Sequence, residues 1–435
     1  MNILIICSYF PPDLSIGAIR PFMFSKYLVE FGNNVTVLCS KKTSNNLKDT
    51  LYNPNSIGAN VIYYDFEDDT MIKNIAPNRK KFSFLSGPIY NSLSKLYHKF
   101  FYFNYYSKNY KTFNIEKEKK FLAIDNMHLN KFDVIFATFP NLEDLYAGQY
   151  AKRKFKSKLI LDFRDMIVGS ALENWYNNKY MLKYEQELVH NADYITCVSN
   201  DSANEIVYRY GIDNIEVINN GFDESNFLCK QGTYDDVFRV CYTGGLKLSF
   251  QQRMIGLLIN VLSRLIKKNL IDKRYIEFNY AGNDSKIFKE IVVNNDLYGI
   301  TKDFGLLTRE ETYSLQDKSD LFVVPSINTK DVKGIISGKF YEGVRMKKAI
   351  LSMVDGDKPN SELYQMFENY EYGFCYEHIT HGNKTLQLAK FIECIYNYKH
   401  ENKQSKIFVS DNMYNDFSYR NLTKKLEDLC FSLIN

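Results

Sequence analysis

Residues 3–39 read ILIICSYFPPDLSIGAIRPFMFSKYLVEFGNNVTVLC. Two short apolar runs, ILIIC (3–7) and VTVLC (35–39), bracket a glycine-bearing loop and a longer helical pattern. A strand with no polar face needs cover on both sides, which is the condition of a parallel sheet packed between helices.

The same unit recurs along the chain. DVIFAT (133–138), KLILDF (158–163), DYITCV (193–198) and IEVIN (215–219) follow in the first half. FRVCYT (238–243), YIEFNYAG (275–282), DLFVVP (320–325) and KAILSM (348–353) occupy the second. The order restarts near residue 237, after the polar stretch LCKQGTYDD (228–236). The pattern predicts an α/β chain of two Rossmann-like, doubly wound domains facing a cleft, 1–228 and 237–405. A C-terminal helical segment, 406–435, is expected to pack back on the first domain.

Composition sets the outer limits. The 435 residues are 24% charged and 45% hydrophobic, ordinary for a globular chain of two or three domains. A formal net charge of +4 is too small to argue for nucleic acid. Eight cysteines without a CxxC pair read as buried, reduced thiols. MNILIICSYF lacks a basic region before its short apolar run, so it reads as a first strand and not a signal peptide. No window approaches the ~18 apolar residues that a membrane span needs. The expectation is a cytoplasmic protein, soluble or peripheral on a membrane.

One region departs from this evenness. Residues 71–120 carry eleven Lys or Arg against two Glu, interleaved with Phe and Tyr, and KRKFKSK (152–158) adds a second basic cluster. Such a face suits an anionic membrane, where each basic residue contributes ~1 kcal/mol. A solvated helix pair, or stacking on single-stranded nucleic acid, competes with that reading.

Ligands of doubly wound sheets bind beyond the carboxyl ends of the strands. Among the loops there, VKGIISGKFYEG (332–343) carries the most chemistry. It is no Walker loop: three residues separate Gly334 from Gly338, and Phe340 follows Lys339. Ser337 can still cap a helix, and Gly338 lets a ligand approach free N–H groups. The helix dipole and Lys339 would together hold an anion. Glu342 lies three residues beyond, on the same face, and would accept bonds from hydroxyls. Phosphate beside vicinal hydroxyls describes a nucleotide ribose; the competing reading is a salt bridge on an exposed helix.

This stretch resembles the donor-binding helix of glycosyltransferase family 4, retaining enzymes of the GT-B fold. The segment 3–39 resembles that family's first strand, glycine loop, helix and second strand. LDFRDM, ITCVSN, VINNGFD, YTGGL and YAGND resemble further segments in the right order. The resemblance implies an acceptor-binding N-terminal domain and a C-terminal domain for a nucleotide-diphosphate sugar, uridine favoured. Gly17 would admit the donor diphosphate or the acceptor, and Arg20 an acceptor anion. Arg164 and Asp165 would lie near the reacting sugar. Gly244 and Gly245 would face the phosphates, helped by Lys247, and Leu307 and Thr308 would border the base. Ser337, Gly338 and Lys339 would hold diphosphate and Glu342 the ribose, with Arg164, Asp165 and Lys339 the catalytic set. No metal or other cofactor is expected, since no strand-end Asp-x-Asp is present. The implied acceptor is a saccharide or polyprenyl-linked saccharide of bacterial surface polysaccharide, met at the inner face of the cell membrane through 71–120 and 152–158, with no nucleic-acid partner. A non-catalytic partner subunit, or a nucleotide-sugar epimerase, are the alternatives.

Two departures stand out. The family carries two glutamates separated by seven residues; Glu342 matches the second, and the first falls on Gly334, for which Asp331 is a substitute. Leu246 stands where an arginine is usual, leaving Lys247 or Arg253 to replace it.

Overall fold

The computed structural model describes residues 1–41, 51–64, 117–127, 131–168, 178–224, 235–295, 297–382, 385–402 and 411–435. Two parallel sheets with helices on their faces make up the molecule. The first comprises β1 (Asn2–Cys7), β2 (Asn34–Ser40), β3 (Asn60–Tyr64), β4 (Val134–Thr138), β5 (Lys158–Phe163), β6 (Tyr194–Cys197) and β7 (Ile215–Val217), in the order β3-β2-β1-β4-β5-β6-β7. The second comprises β8 (Phe238–Thr243), β9 (Ile276–Ala281), β10 (Thr301–Asp303), β11 (Leu321–Asn328), β12 (Ala349–Gly356) and β13 (Phe374–Glu377), in the order β10-β9-β8-β11-β12-β13. Central strands such as β4 are buried along their whole length, as continuous apolar runs require.

Both sheets change direction beside their first strand, at β1/β4 and at β8/β11. The loops at the carboxyl ends there diverge and leave a crevice. β11 and β12 extend beyond their apolar runs through Ser326–Asn328 and Val354–Gly356, paired in register to Asn328↔Gly356. That extension carries the loop 329–337 toward the facing domain.

The chain passes between the domains twice at one place. Phe222 and Ser418 form a parallel bridge, with Phe222 N donating to Phe417 O (3.0 Å) and Tyr419 N to Phe222 O (2.9 Å). The C-terminal helix Tyr419–Ile434 then lies on the Ile19–Glu30 helix of the first domain. Tyr419 meets Phe24 edge-on at 6.0 Å, and Asn33 Nδ2 donates to Glu427 at 2.6 Å.

Three strands had no counterpart in the sequence reading: β3, β10 and β13. Each is an edge strand of three to five residues. An edge has one neighbour and one open side, so its apolar signal is short and diluted.

Six of the seven described cysteines are buried and Cys394 is exposed. Among the described residues, no helix is long and apolar enough to cross a membrane. Most of the basic-aromatic stretch, 71–116, lies outside the described residues. Its last lysine points inward: Lys120 is fully buried and paired with Asp144 and with Glu143 (3.4 Å). In the second cluster, Lys152 bridges to Asp193 (2.8 Å) and Lys154 to Asp125 (2.6 Å). Those three lysines are committed to the domain's own carboxylates, which thins the expected membrane face.

Candidate functional site

The two switch points face each other across a cavity of about 600 Å³. Gly17, Arg20, Arg164 and Asp165 line it from the first domain, Gly338 and Glu342 from the second. Gly244, Gly245, Lys247, Leu307, Thr308, Ser337 and Lys339 lie outside its lining.

The floor on the N-terminal side is a closed ion pair. Asp162, at the end of β5, is fully buried and accepts from Arg20 Nε (3.0 Å) and Nη2 (2.8 Å), Thr138 Oγ1 (2.7 Å) and Thr196 Oγ1 (2.8 Å). Arg20 also donates to Asn219 O (2.7 Å) and Ile218 O (2.9 Å). This corrects the reading of Arg20 as an acceptor ligand. Four of its five N–H groups are spent on tying β5 to the loop after β7, so it positions the floor.

Arg164 serves the loop after β1 instead. Its Nη1 donates to Gly17 O and its Nε to Phe139 O, both at 2.5 Å. A Cβ on Gly17 would stand 3.3 Å from Arg164 Nη2. Burial lowers the Arg164 pKa from its ordinary value. Asp165 lies at the cavity wall. The surrounding walls strip water from its carboxyl and raise its pKa, while Arg164 opposes the rise.

On the C-terminal side, Ser337 caps the Gly338–Arg345 helix, its Oγ accepting from Lys339 N at 3.3 Å. Lys339 is half-buried, and its ammonium has no hydrogen-bond or carboxylate partner among the described residues. It lies against Gly244 at the end of β8. Gly244 adopts φ +141°, and a Cβ there would sit 2.5 Å from Lys339 Cε and 2.9 Å from Nζ. Only glycine permits both that backbone and that approach. Gly245 O accepts from Tyr242 OH (2.5 Å), and Leu246 N donates to Asp284 Oδ2 (2.8 Å), which holds the turn. Leu246 itself is fully buried, so its position cannot present a cation. Of the two substitutes, Arg253 is engaged by Asp355 (Nε at 2.7 Å), while Lys247 is exposed.

Glu342, one turn beyond Lys339, is half-buried and accepts from Gln316 Nε2 at 2.7 Å. Thr308 spends its hydroxyl and N–H on a capping box with Glu311 at the start of the Arg309–Asp317 helix, and Leu307 precedes it half-buried. Ile16, from the loop after β1, reaches across to the Gly338–Arg345 helix: its Cδ1 would stand 2.8 Å from a Cβ on Gly338.

The missing glutamate has a steric cause. Gly334 adopts φ +67°, and a Cβ there would fall 2.5 Å from Ser199 Oγ and 2.9 Å from Asp201 Cβ. Its N–H donates to the Asp201 carboxylate, at the start of the Asn200–Tyr210 helix of the first domain. From the second domain, Glu362 caps that helix start. It accepts from Asn200 N (2.7 Å), Asn200 Nδ2 (2.9 Å) and Asp201 N (2.9 Å). A side chain at 334 would collide with this contact. Asp331 is exposed and outside the cavity lining, whereas Ser202 belongs to it.

Sequence reasoning overlooked several lining residues: Tyr52, Asp223, Tyr313 and Arg345. Arg345 stacks on Tyr313 at 3.9 Å. Only Arg345, three residues past Glu342, lay within reach of the helical spacing already noted. Among the described residues, no three His, Cys, Asp or Glu side chains gather as a metal site.

Comparison with known proteins agrees with this architecture. Residues 89–226 match the model of Glycosyltransferase Family 4. The match is a likeness over that segment. It lies in the N-terminal half and does not include the helix that carries Lys339 and Glu342. The Anabaena protein HepE, solved with UDP and glucose, is 13% identical, with 99% of this chain and 100% of that chain covered and a TM-score of 0.56. The lipopolysaccharide outer core galactosyltransferase WaaB, in its apo form, is 11% identical with both chains fully covered and a TM-score of 0.57. A protein described as a putative UDP-N-acetylglucosamine 2-epimerase, from Listeria monocytogenes, is 11% identical, covers 100% of this chain and 96% of that one, and has a TM-score of 0.53. At these identities the shared property is the GT-B fold. No curated protein matches the sequence.

Proposed function

We propose that this chain transfers a sugar from a nucleoside diphosphate to a saccharide or lipid-linked saccharide, with retention at the anomeric carbon. One arrangement carries the reading. An uncommitted lysine at a helix start lies against the Gly244 turn, beside the cavity, and a carboxylate one turn on lines the cavity itself. A diphosphate between the Gly244 turn and the Gly338–Arg345 helix would meet the ammonium of Lys339 and the positive end of the helix dipole. Glu342 is placed to accept bonds from ribose hydroxyls. The UDP bound to HepE supports a uridine donor.

The chemistry follows from where charge develops. Breaking the bond between the anomeric carbon and phosphate oxygen leaves negative charge on the diphosphate and an oxocarbenium-like sugar. Preorganised cations on the departing phosphate lower that barrier most. Lys339 supplies a charge that other transferases obtain from a divalent ion, and on this reading no metal is required. The acceptor hydroxyl would attack from the face the phosphate leaves and pass its proton to that phosphate. Asp165, with its pKa raised, stands at the first-domain wall where the acceptor would enter. Among the described residues no histidine lines the cavity, which supports transfer over epimerisation. A role in surface polysaccharide assembly, at a membrane met through 71–120, rests on the sequence alone.

The test is nucleotide release from UDP- and GDP-sugars by the purified chain, with and without saccharide acceptors. Release that depends on Lys339 supports the proposal. Release unchanged in Lys339→Ala would overturn the role of the lysine, and no release from any donor favours the non-catalytic alternative.

A further inference from the structure

The carboxylate proposed to hold the ribose is itself held. Gln316, in the Arg309–Asp317 helix, is fully buried. Its Nε2 donates twice, to Glu342 Oε2 at 2.7 Å and to Thr243 Oγ1 at 2.9 Å. Thr243 ends β8 and immediately precedes Gly244. One amide therefore joins the glycine turn of β8 to the carboxylate on the facing helix. Its Oε1 is buried with no hydrogen-bond partner among the described residues. An orphaned buried acceptor is unfavourable, and a simple packing residue here would be apolar. Turning the amide over would give Oε1 a partner in the Thr243 hydroxyl, but would set it against the Glu342 carboxylate. Satisfying Glu342 thus decides the orientation.

We infer that Gln316 is the positioning residue for nucleotide recognition: it fixes one oxygen of Glu342 relative to the Gly244 turn, so that the other is presented at a set distance from the diphosphate. The inference rests on the proposed donor site and refines it. A ligand would be read as diphosphate and ribose hydroxyls together. Gln316 would not touch it.

The measurement compares affinities for UDP, GDP and their 2′,3′-dideoxy counterparts by calorimetry, using the full chain. The wild-type protein should prefer the hydroxylated nucleotide. Gln316→Met, close in volume, should weaken binding of the hydroxylated nucleotide about tenfold, one hydrogen bond's worth to a charged group, and leave the dideoxy form nearly unaffected. Combined with Glu342→Gln, it should add little, because the two act as a unit. Gln316→Glu guards against a variant that fails to fold. It places two carboxylates side by side, and the preference for ribose should return as pH falls and a shared proton restores the hydrogen bond.

Equal losses for both nucleotide forms in Gln316→Met, or a ribose preference in Gln316→Glu that does not move with pH, would overturn the positioning role alone. A wild-type protein that binds diphosphates without regard to ribose hydroxyls would overturn the donor-site reading and this inference together.

Discussion

The two walls of the cleft handle positive charge in opposite ways. On the first domain, Arg20 closes on Asp162, Arg164 clamps the Gly17 carbonyl, and Lys120 is sealed against Asp144 and Glu143. On the second, Lys339 is half-buried among backbone and glycine with no partner among the described residues. The cations of the first domain are consumed by internal partners. The second keeps Lys339 without a partner among the described residues, as the proposed diphosphate site requires. A basic residue in a cleft is therefore a ligand candidate only after its internal partners have been counted.

The contrast can be broken at either wall. Arg20→Met should have the largest effect, a loss of about 3–5 kcal/mol in denaturant unfolding, because Asp162 stays buried without its counter-charge. A variant as stable as the parent would mean that the first wall does not depend on the pair. Lys339→Ala should unfold with the parent yet turn over ~10²-fold more slowly, about 2.7 kcal/mol at the transition state. A fall in melting temperature with turnover retained would reverse the assignment of the two walls. Gly334→Ala should come third, at about 1–3 kcal/mol, since it forces a left-handed backbone and drives a methyl toward Ser199 Oγ. Ser199→Ala should recover part of that loss if the collision is the cause. If Gly334→Ala is neutral, the contact between the domains at Gly334 is looser than described, and steric exclusion does not explain the absent glutamate.

Much of the scaffold could be read from the chain before it folded. The ten apolar runs all became strands, and their order is that of two doubly wound sheets. The Ser337 cap and the helix after it could be read from local capping rules. Residue roles were less legible. Arg20 looks like an anion ligand until Asp162, 142 residues away in sequence, is seen beneath it. Thr308 looks available for a base until Glu311 takes its hydroxyl. Gln316 carries no signal, since one glutamine in a polar helix is ordinary and its partners come from two other elements.

What the sequence determined by itself was periodicity, helix capping and the types of chemistry on hand, because these depend on neighbours within a few residues. The tertiary structure decided which charges remain for a ligand, because an ion pair or hydrogen bond forms wherever folding brings its groups together. It also decided why residue 334 is a glycine: the start of a helix from the other domain occupies the space that a side chain would need.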